Sequence, residues 1–163
     1  MHKIHLFTIG VYGFTEAAFF SALKNASMDT FCDVRRRRGV RGSTYAFVNS
    51  KRLQRTLRAL GIRYLYLKDF APSEEVRNLQ RMSDKCSGVK KRDRAALSES
   101  FVHAYESECL GEATLDAFLR VLGSPAENVV LFCVERYPEA CHRSVLARHL
   151  GSALGLEPEH LIP

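Results

Sequence analysis

Two spacings of apolar residues alternate along this chain of 163 residues. Residues 4–11, IHLFTIGV, are mostly apolar and rich in β-formers, the pattern of a strand buried on both faces. Thr15 then stands as the cap of a helix over EAAFFSALKNA, where Phe19, Leu23 and Ala26 share a face. Residues 29–35, DTFCDVR, predict a second strand, followed by a polar, glycine-containing loop to Asn49. Ser50 is placed to cap KRLQRTLRALG, with Leu53, Leu57 and Leu60 at helical spacing and Gly61 as the stop. IRYLYLKD, residues 62–69, alternates as a third strand.

Residues 73–122 read as helical. A polar piece runs from Ser73 to about Cys86, and the loop CSGVKKRD follows. Leu97, Phe101, Tyr105 and Cys109 make the next stripe, and Leu115, Phe118, Leu119 and Leu122 another. NVVLFCVE, residues 128–135, is the clearest strand of all. Leu146, Leu150 and Leu154 mark a last helix that Gly155 ends, and PEHLIP is left as a short edge strand or a tail. The order strand–helix–strand–helix–strand, a helical insertion at 73–124, then strand–helix predicts an α/β fold. Its parallel or mostly parallel sheet carries helices on both faces, a Rossmann-like arrangement in a single domain over 1–163.

Such sheets bind ligands outside the carboxyl ends of their strands. That rule turns scattered polar residues into one candidate site. The first strand ends at Thr8, Gly10 and Tyr12, the second at Asp33 and Arg35, and the third at Lys68 and Asp69. The fourth ends at Cys133 and Glu135, and its loop carries Cys141, His142, Arg143 and Ser144 into the last helix. A helix start of this kind favours an anion, lowers the pKa of a nearby thiol, and gives Arg143 a reason to be there. The plainer alternative makes Cys133 a small buried strand residue, and His142 and Arg143 surface groups. The segment from Ser73 to Leu110 is placed to cover the sheet edge as a lid.

Known phosphate loops do not fit. The residue after a five-residue gap is Glu139 from Cys133 and Ala147 from Cys141, so neither thiol has the arginine of a cysteine-phosphatase loop. No glycine–lysine phosphate loop and no G-x-G-x-x-G is present. Cys133, Cys141, His142 and His149 match no closed zinc spacing, and His142 and His149 are too far apart on one helix for a single ion. No metal and no cofactor is therefore expected.

The formal charge of +6 favours anionic partners. Its densest part is DVRRRRGVRGSTYAF, where Arg35, Arg36, Arg37, Arg38 and Arg41 precede Tyr45 and Phe47. Arginines beside aromatics suit a phosphate backbone and stacked bases, but a solvated basic loop with its aromatics tucked into the core reads equally well. Asp33 either pairs with an arginine or acts as acid or base. The apolar stretches are too short for a membrane span, and the N-terminal one is too short for a secretory signal. Five cysteines at irregular spacing and no export signal predict reduced thiols in a cytoplasmic protein.

FTIGVYGF, DVRRRRGVRGSTYAFVN, LRALGIRYLYLKD and LFCVERYPEACHRSVLARHL occur in that order over nearly the whole chain. Together they resemble the bacterial and archaeal family catalogued as domain of unknown function 488. The most specific match is Cys133, Glu135, Pro138, Cys141, His142, Arg143 and Ser144, and next the Asp-Val-Arg of residues 33–35. The resemblance implies an α/β fold and a small intracellular protein, and no activity. Many relatives carry a Gly-Gly-Arg-like turn after the third strand. This chain has KDFAPSEEVR instead, so no role carries over to Lys68 or Asp69.

The reading that follows is an enzyme or enzyme-like protein binding a phosphate-bearing ligand, a small molecule such as a nucleotide or a nucleic acid. The candidate reacting groups are Cys141, His142, Asp33, Glu135 and Cys133. The candidate ligand contacts are Arg35, Arg143, Ser144, Gly10, Tyr12, Arg41, Tyr45 and Lys68. The alternative is a non-catalytic nucleic-acid-binding module using the arginine loop 35–41.

Overall fold

The computed structural model describes residues 3–163. Five parallel strands form one sheet: β1 (His5–Ile9), β2 (Thr30–Asp33), β3 (Arg63–Tyr66), β4 (Asn128–Phe132) and β5 (Glu159–Leu161), in the spatial order β3-β2-β4-β1-β5. β2 is buried along its whole length, and β1 and β4 after their first residue. Their near-continuous apolar runs are what a sheet covered on both faces requires. The register sets Ile9 beside Phe132, Phe132 beside Asp33, and Asp33 beside Tyr66, so four strands finish level at one edge.

The helices are α1 (Glu16–Asn25), α2 (Ser50–Ala59), α3 (Glu74–Ser87), α4 (Glu99–Cys109), α5 (Thr114–Leu122) and α6 (His142–Leu154). The chain leaves β1 toward β2 and β3, crossing over the place β4 will take, and later leaves β4 toward β5, crossing over β1. Right-handed crossovers in opposite directions put α1 and α2 on one face and α6 on the other. The insertion packs on the α6 side, where α4 and α5 both meet α6.

Local chemistry fixes the helix starts. Thr15, Ser73 and Ser98 each accept a hydrogen bond from the third backbone N–H beyond them, at 3.1–3.2 Å. Ser50 does not cap α2. Asn49 occupies the cap position and Ser50 is the first helical residue. The Asn49 amide oxygen instead accepts from Val40 N at 2.7 Å and ties down the arginine loop. The stretch 73–122 is helical in three pieces, broken by a 3-10 turn at Lys91–Asp93 and by the turn before α5. PEHLIP supplies the edge strand β5.

Phe19 sits at the centre of the core, with the rings of Phe14, Phe20, Phe47 and Phe132 all within 6 Å of its own. Among the described residues, no helix is long and apolar enough to cross a membrane.

Candidate functional site

β1 and β4 are neighbours whose chains depart in opposite directions. Their carboxyl ends therefore define the switch point at which open α/β sheets form a crevice. The loop after β4 is bolted to the loop after β1 by backbone bonds. Val134 O accepts from both Val11 N at 3.1 Å and Tyr12 N at 3.0 Å, and Cys133 N donates to Ile9 O. Gly10 makes the approach possible, because a Cβ there would lie 1.8 Å from the Glu135 carbonyl oxygen.

Arg143 locks the same loop from behind. It is fully buried, and Nη1 donates to Glu135 O at 2.6 Å, Nη2 to Arg136 O and Nε to Thr8 Oγ1. Its fork thus grips main-chain carbonyls. The Ser144 hydroxyl likewise donates to Cys141 O at 2.9 Å. A single 3-10 turn, Pro138–Ala140, leads into α6, which begins at His142 with Cys141 in the cap position.

Within this frame Cys133, Cys141 and His142 converge, with one donor atom of each inside 4.8 Å of the others. His142 Nε2 donates to the Val34 carbonyl at 2.9 Å, which leaves Nδ1 facing Cys141 Sγ at 3.8 Å. Burial pushes the Cys141 thiol up. The hydrogen bond with Cys133 and the charges of Arg143 and His142 outweigh it and hold Cys141 well below its usual value. That same hydrogen bond, and then burial, push the Cys133 thiol well above its usual value. Burial opposes a charged imidazole at His142, but Cys141 and Glu135 raise it above its ordinary range.

A cavity of about 480 Å³ opens over this floor. That is ample for a nucleotide-sized ligand. Cys133, Glu135, His142, Arg35, Tyr12, Arg41 and Tyr45 line it, and these seven are sequence candidates that the fold brings together. Asp33, Cys141, Gly10 and Arg143 lie behind that lining, Ser144 faces a separate groove, and Lys68 is exposed on a 3-10 turn after β3. Asp33 is fully engaged. Its carboxylate holds Arg35 Nε at 2.8 Å and Nη2 at 2.7 Å, and accepts from Tyr64 Oη at 2.7 Å. Arg35 is thereby fixed over the Phe132 ring, 4.7 Å from its centre. Two buried side-chain atoms have no hydrogen-bond partner among the described residues, Arg35 Nη1 and Glu135 Oε2, and both residues line this cavity.

The walls are cationic. Nine Arg and Lys side chains line the cavity against Asp84 and Glu135 as the carboxylates. Burial and the charges of Arg81 and Arg37 push Arg77 below the usual arginine value, a sign of crowded like charge. Tyr12 and Tyr45 form a tilted ring pair 5.1 Å apart, with the Arg92 guanidinium 5.5 Å from the first and 5.8 Å from the second. Phe47 is 3% exposed and packs on Phe19, so it belongs to the core.

Sequence reasoning missed Arg94. It is buried and reaches from the insertion to Glu135 Oε1 at 3.1 Å, Asp84 Oδ2 at 2.7 Å and the Ala140 carbonyl at 3.0 Å. The charged run KKRDR was its one local signal. The insertion does stand over the sheet edge: Arg77, Gln80 and Asp84 of α3 and Lys91, Arg92 and Arg94 after it all border the cavity. His149 lies away from the floor, with Nε2 3.3 Å from the Gly111 carbonyl.

The model of the family described as domain of unknown function DUF488 matches residues 16–150. The match takes in the arginine loop, the insertion and the whole Cys133–Ser144 stretch, and begins after β1. No curated protein and no solved structure matches the chain.

Proposed function

The chain belongs to the DUF488 family, a domain of unknown function, and on that premise we propose that it is an enzyme-like protein acting on a phosphate-bearing ligand at the β1–β4 switch point. One observation carries the reading. A nucleotide-sized cavity with strongly cationic walls ends on a buried thiol–imidazole–carboxylate floor, and the buried Arg35 Nη1 beside it has no partner among the described residues. A buried guanidinium N–H without an acceptor is costly, and a phosphate oxygen supplies that acceptor.

In this reading Arg35 and Arg41 hold phosphate oxygens. Tyr12 and Tyr45, with Arg92, offer a face to an aromatic base. The reacting end is the floor, where Cys133, Cys141, His142 and Glu135 meet. Asp33 and Arg143 act through others: Asp33 aims Arg35, and Arg143 shapes the loop that presents Glu135.

The test is binding of a nucleoside triphosphate and of a short single-stranded oligonucleotide at low salt. The expected result is saturable nucleotide binding that Arg41→Ala and Tyr45→Ala each weaken by about tenfold, which corresponds to one charge-assisted contact or one stacked ring. Oligonucleotide binding that ignores Cys141→Ser and Glu135→Gln, with no turnover of any nucleotide, favours the non-catalytic module built on residues 35–41. No binding of either ligand by folded protein overturns the proposal.

A further inference from the structure

The geometry points to a metal site: we propose that Cys133, Cys141 and His142 bind one divalent ion of the zinc class, with a fourth coordination position open to the cavity. The proposal extends the reading of this floor as the reacting end, but stands on different side chains from the ligand-binding arginines.

Linear spacing hides the site, because Cys133 lies eight residues before Cys141 and across a turn. The fold removes that separation. All three donor atoms fall within 4.8 Å of one another, and Cys141 Sγ is 3.8 Å from His142 Nδ1. With zinc–sulfur bonds of about 2.3 Å and zinc–nitrogen bonds of about 2.0 Å, tetrahedral ligands stand roughly 3.5–3.8 Å apart. The Cys141–His142 pair already stands close to that spacing. Two sulfurs and one imidazole are the donor set that selects zinc over the oxygen-loving calcium and magnesium.

The surroundings are those of a ligated histidine. His142 Nε2–H donates to the Val34 carbonyl, which fixes the tautomer of the neutral ring and leaves the Nδ1 lone pair toward the sulfurs. The charge also balances. Two thiolates neutralise a divalent ion, so the loaded site adds no net charge beside Arg143 and Arg94. Three protein ligands with an open fourth position describe a reactive site rather than a structural one. Cys133 and His142 border the cavity, so that position faces the ligand. Glu135, two residues beyond Cys133, lines the same cavity, and its Oε2 has no hydrogen-bond partner among the described residues.

The experiment uses the reduced full chain, stripped with a chelator and titrated with Co²⁺ alone. The expected result is one equivalent bound, with a sulfur-to-cobalt charge-transfer band and the strong visible bands of tetrahedral cobalt, both abolished by Zn²⁺. Loss of an outer hydrogen-bond partner costs a metal site about 10–100-fold, so Cys133→Ser and Cys141→Ser, which remove a ligand, lower affinity by at least about 100-fold. Cys86→Ser, at an exposed thiol, leaves the spectrum unchanged. A variant that fails to fold is replaced by a second reading on the wild type, in which Zn²⁺ protects Cys133 and Cys141 from alkylation while Cys86 still labels. Absence of the charge-transfer band in folded protein, or its survival in both serine variants, overturns the proposal. Metal uptake without binding of either nucleotide or oligonucleotide removes the ligand reading and keeps the site, and the converse keeps the ligand reading and removes the metal.

Discussion

Arg143 illustrates how far a residue's type underdetermines its work. Its position beside Cys141 and His142 suggests a fork for an anion, yet its side chain is buried on the carbonyls of Glu135 and Arg136. Arg143→Met leaves those carbonyls without donors and is expected to lower stability by about 3 kcal/mol in urea denaturation. A loss below about 0.5 kcal/mol sinks the structural role. Cys32 gives a second residue-scale expectation. Burial, partly offset by Arg63, pushes its thiol from 9.0 to about 12. A group raised on folding contributes stability that is complete below its unfolded value and is lost as pH rises through the folded one. Unfolding free energy is therefore expected to fall as pH rises from 9 toward 12. Comparing denaturation curves at pH 8 and pH 11 tests this, and an equally steep fall in Cys32→Ala would exclude Cys32 as a source.

At the scale of elements, caps and loop anchors separate cleanly. Thr15 ends its influence at α1, so Thr15→Ala is expected to cost about 1 kcal/mol of stability and nothing in ligand affinity. Asn49 sits at a helix start too, but its side chain holds Val40 in the arginine loop. Asn49→Ala is expected to weaken nucleotide binding severalfold while moving the thermal midpoint less than Thr15→Ala does. Equal effects of the two variants on both measurements would show that the loop needs no such anchor. The pattern of the insertion places it as a cover over the sheet edge, and its helix α3 and charged loop do border the cavity there. In the fold they deliver Arg94 to Glu135 and Arg92 to the tyrosine pair.

Across the whole molecule, the strand order makes the cavity. Because β1 and β4 are adjacent and their chains diverge, Tyr12, Cys133 and Glu135 meet at one crevice, and Arg35 joins them from β2. The net charge of +6 is focused there rather than spread evenly. If a nucleic-acid backbone occupies the cavity, affinity is expected to fall steeply with salt, and Arg41→Ala to lower the log–log slope by about 1. A slope that does not change on removing Arg41 places the backbone elsewhere.

The sequence by itself determined the elements: the buried strands, the α1 cap at Thr15, the helical insertion and the edge at which polar residues gather. These depend on periodicity, and periodicity records how each residue is buried by its own segment. It also held the motif from Cys133 to Ser144. It left Asp33 open between pairing with an arginine and acting as acid or base, and it did not hold the strand order, the turning of Arg143 onto carbonyls, or the reach of Arg94 across 41 residues to Glu135. Nor did it show Cys133 beside His142. Those are contacts between segments, set by which crossover goes which way over the sheet, and a local pattern records that a side chain is buried without recording against what.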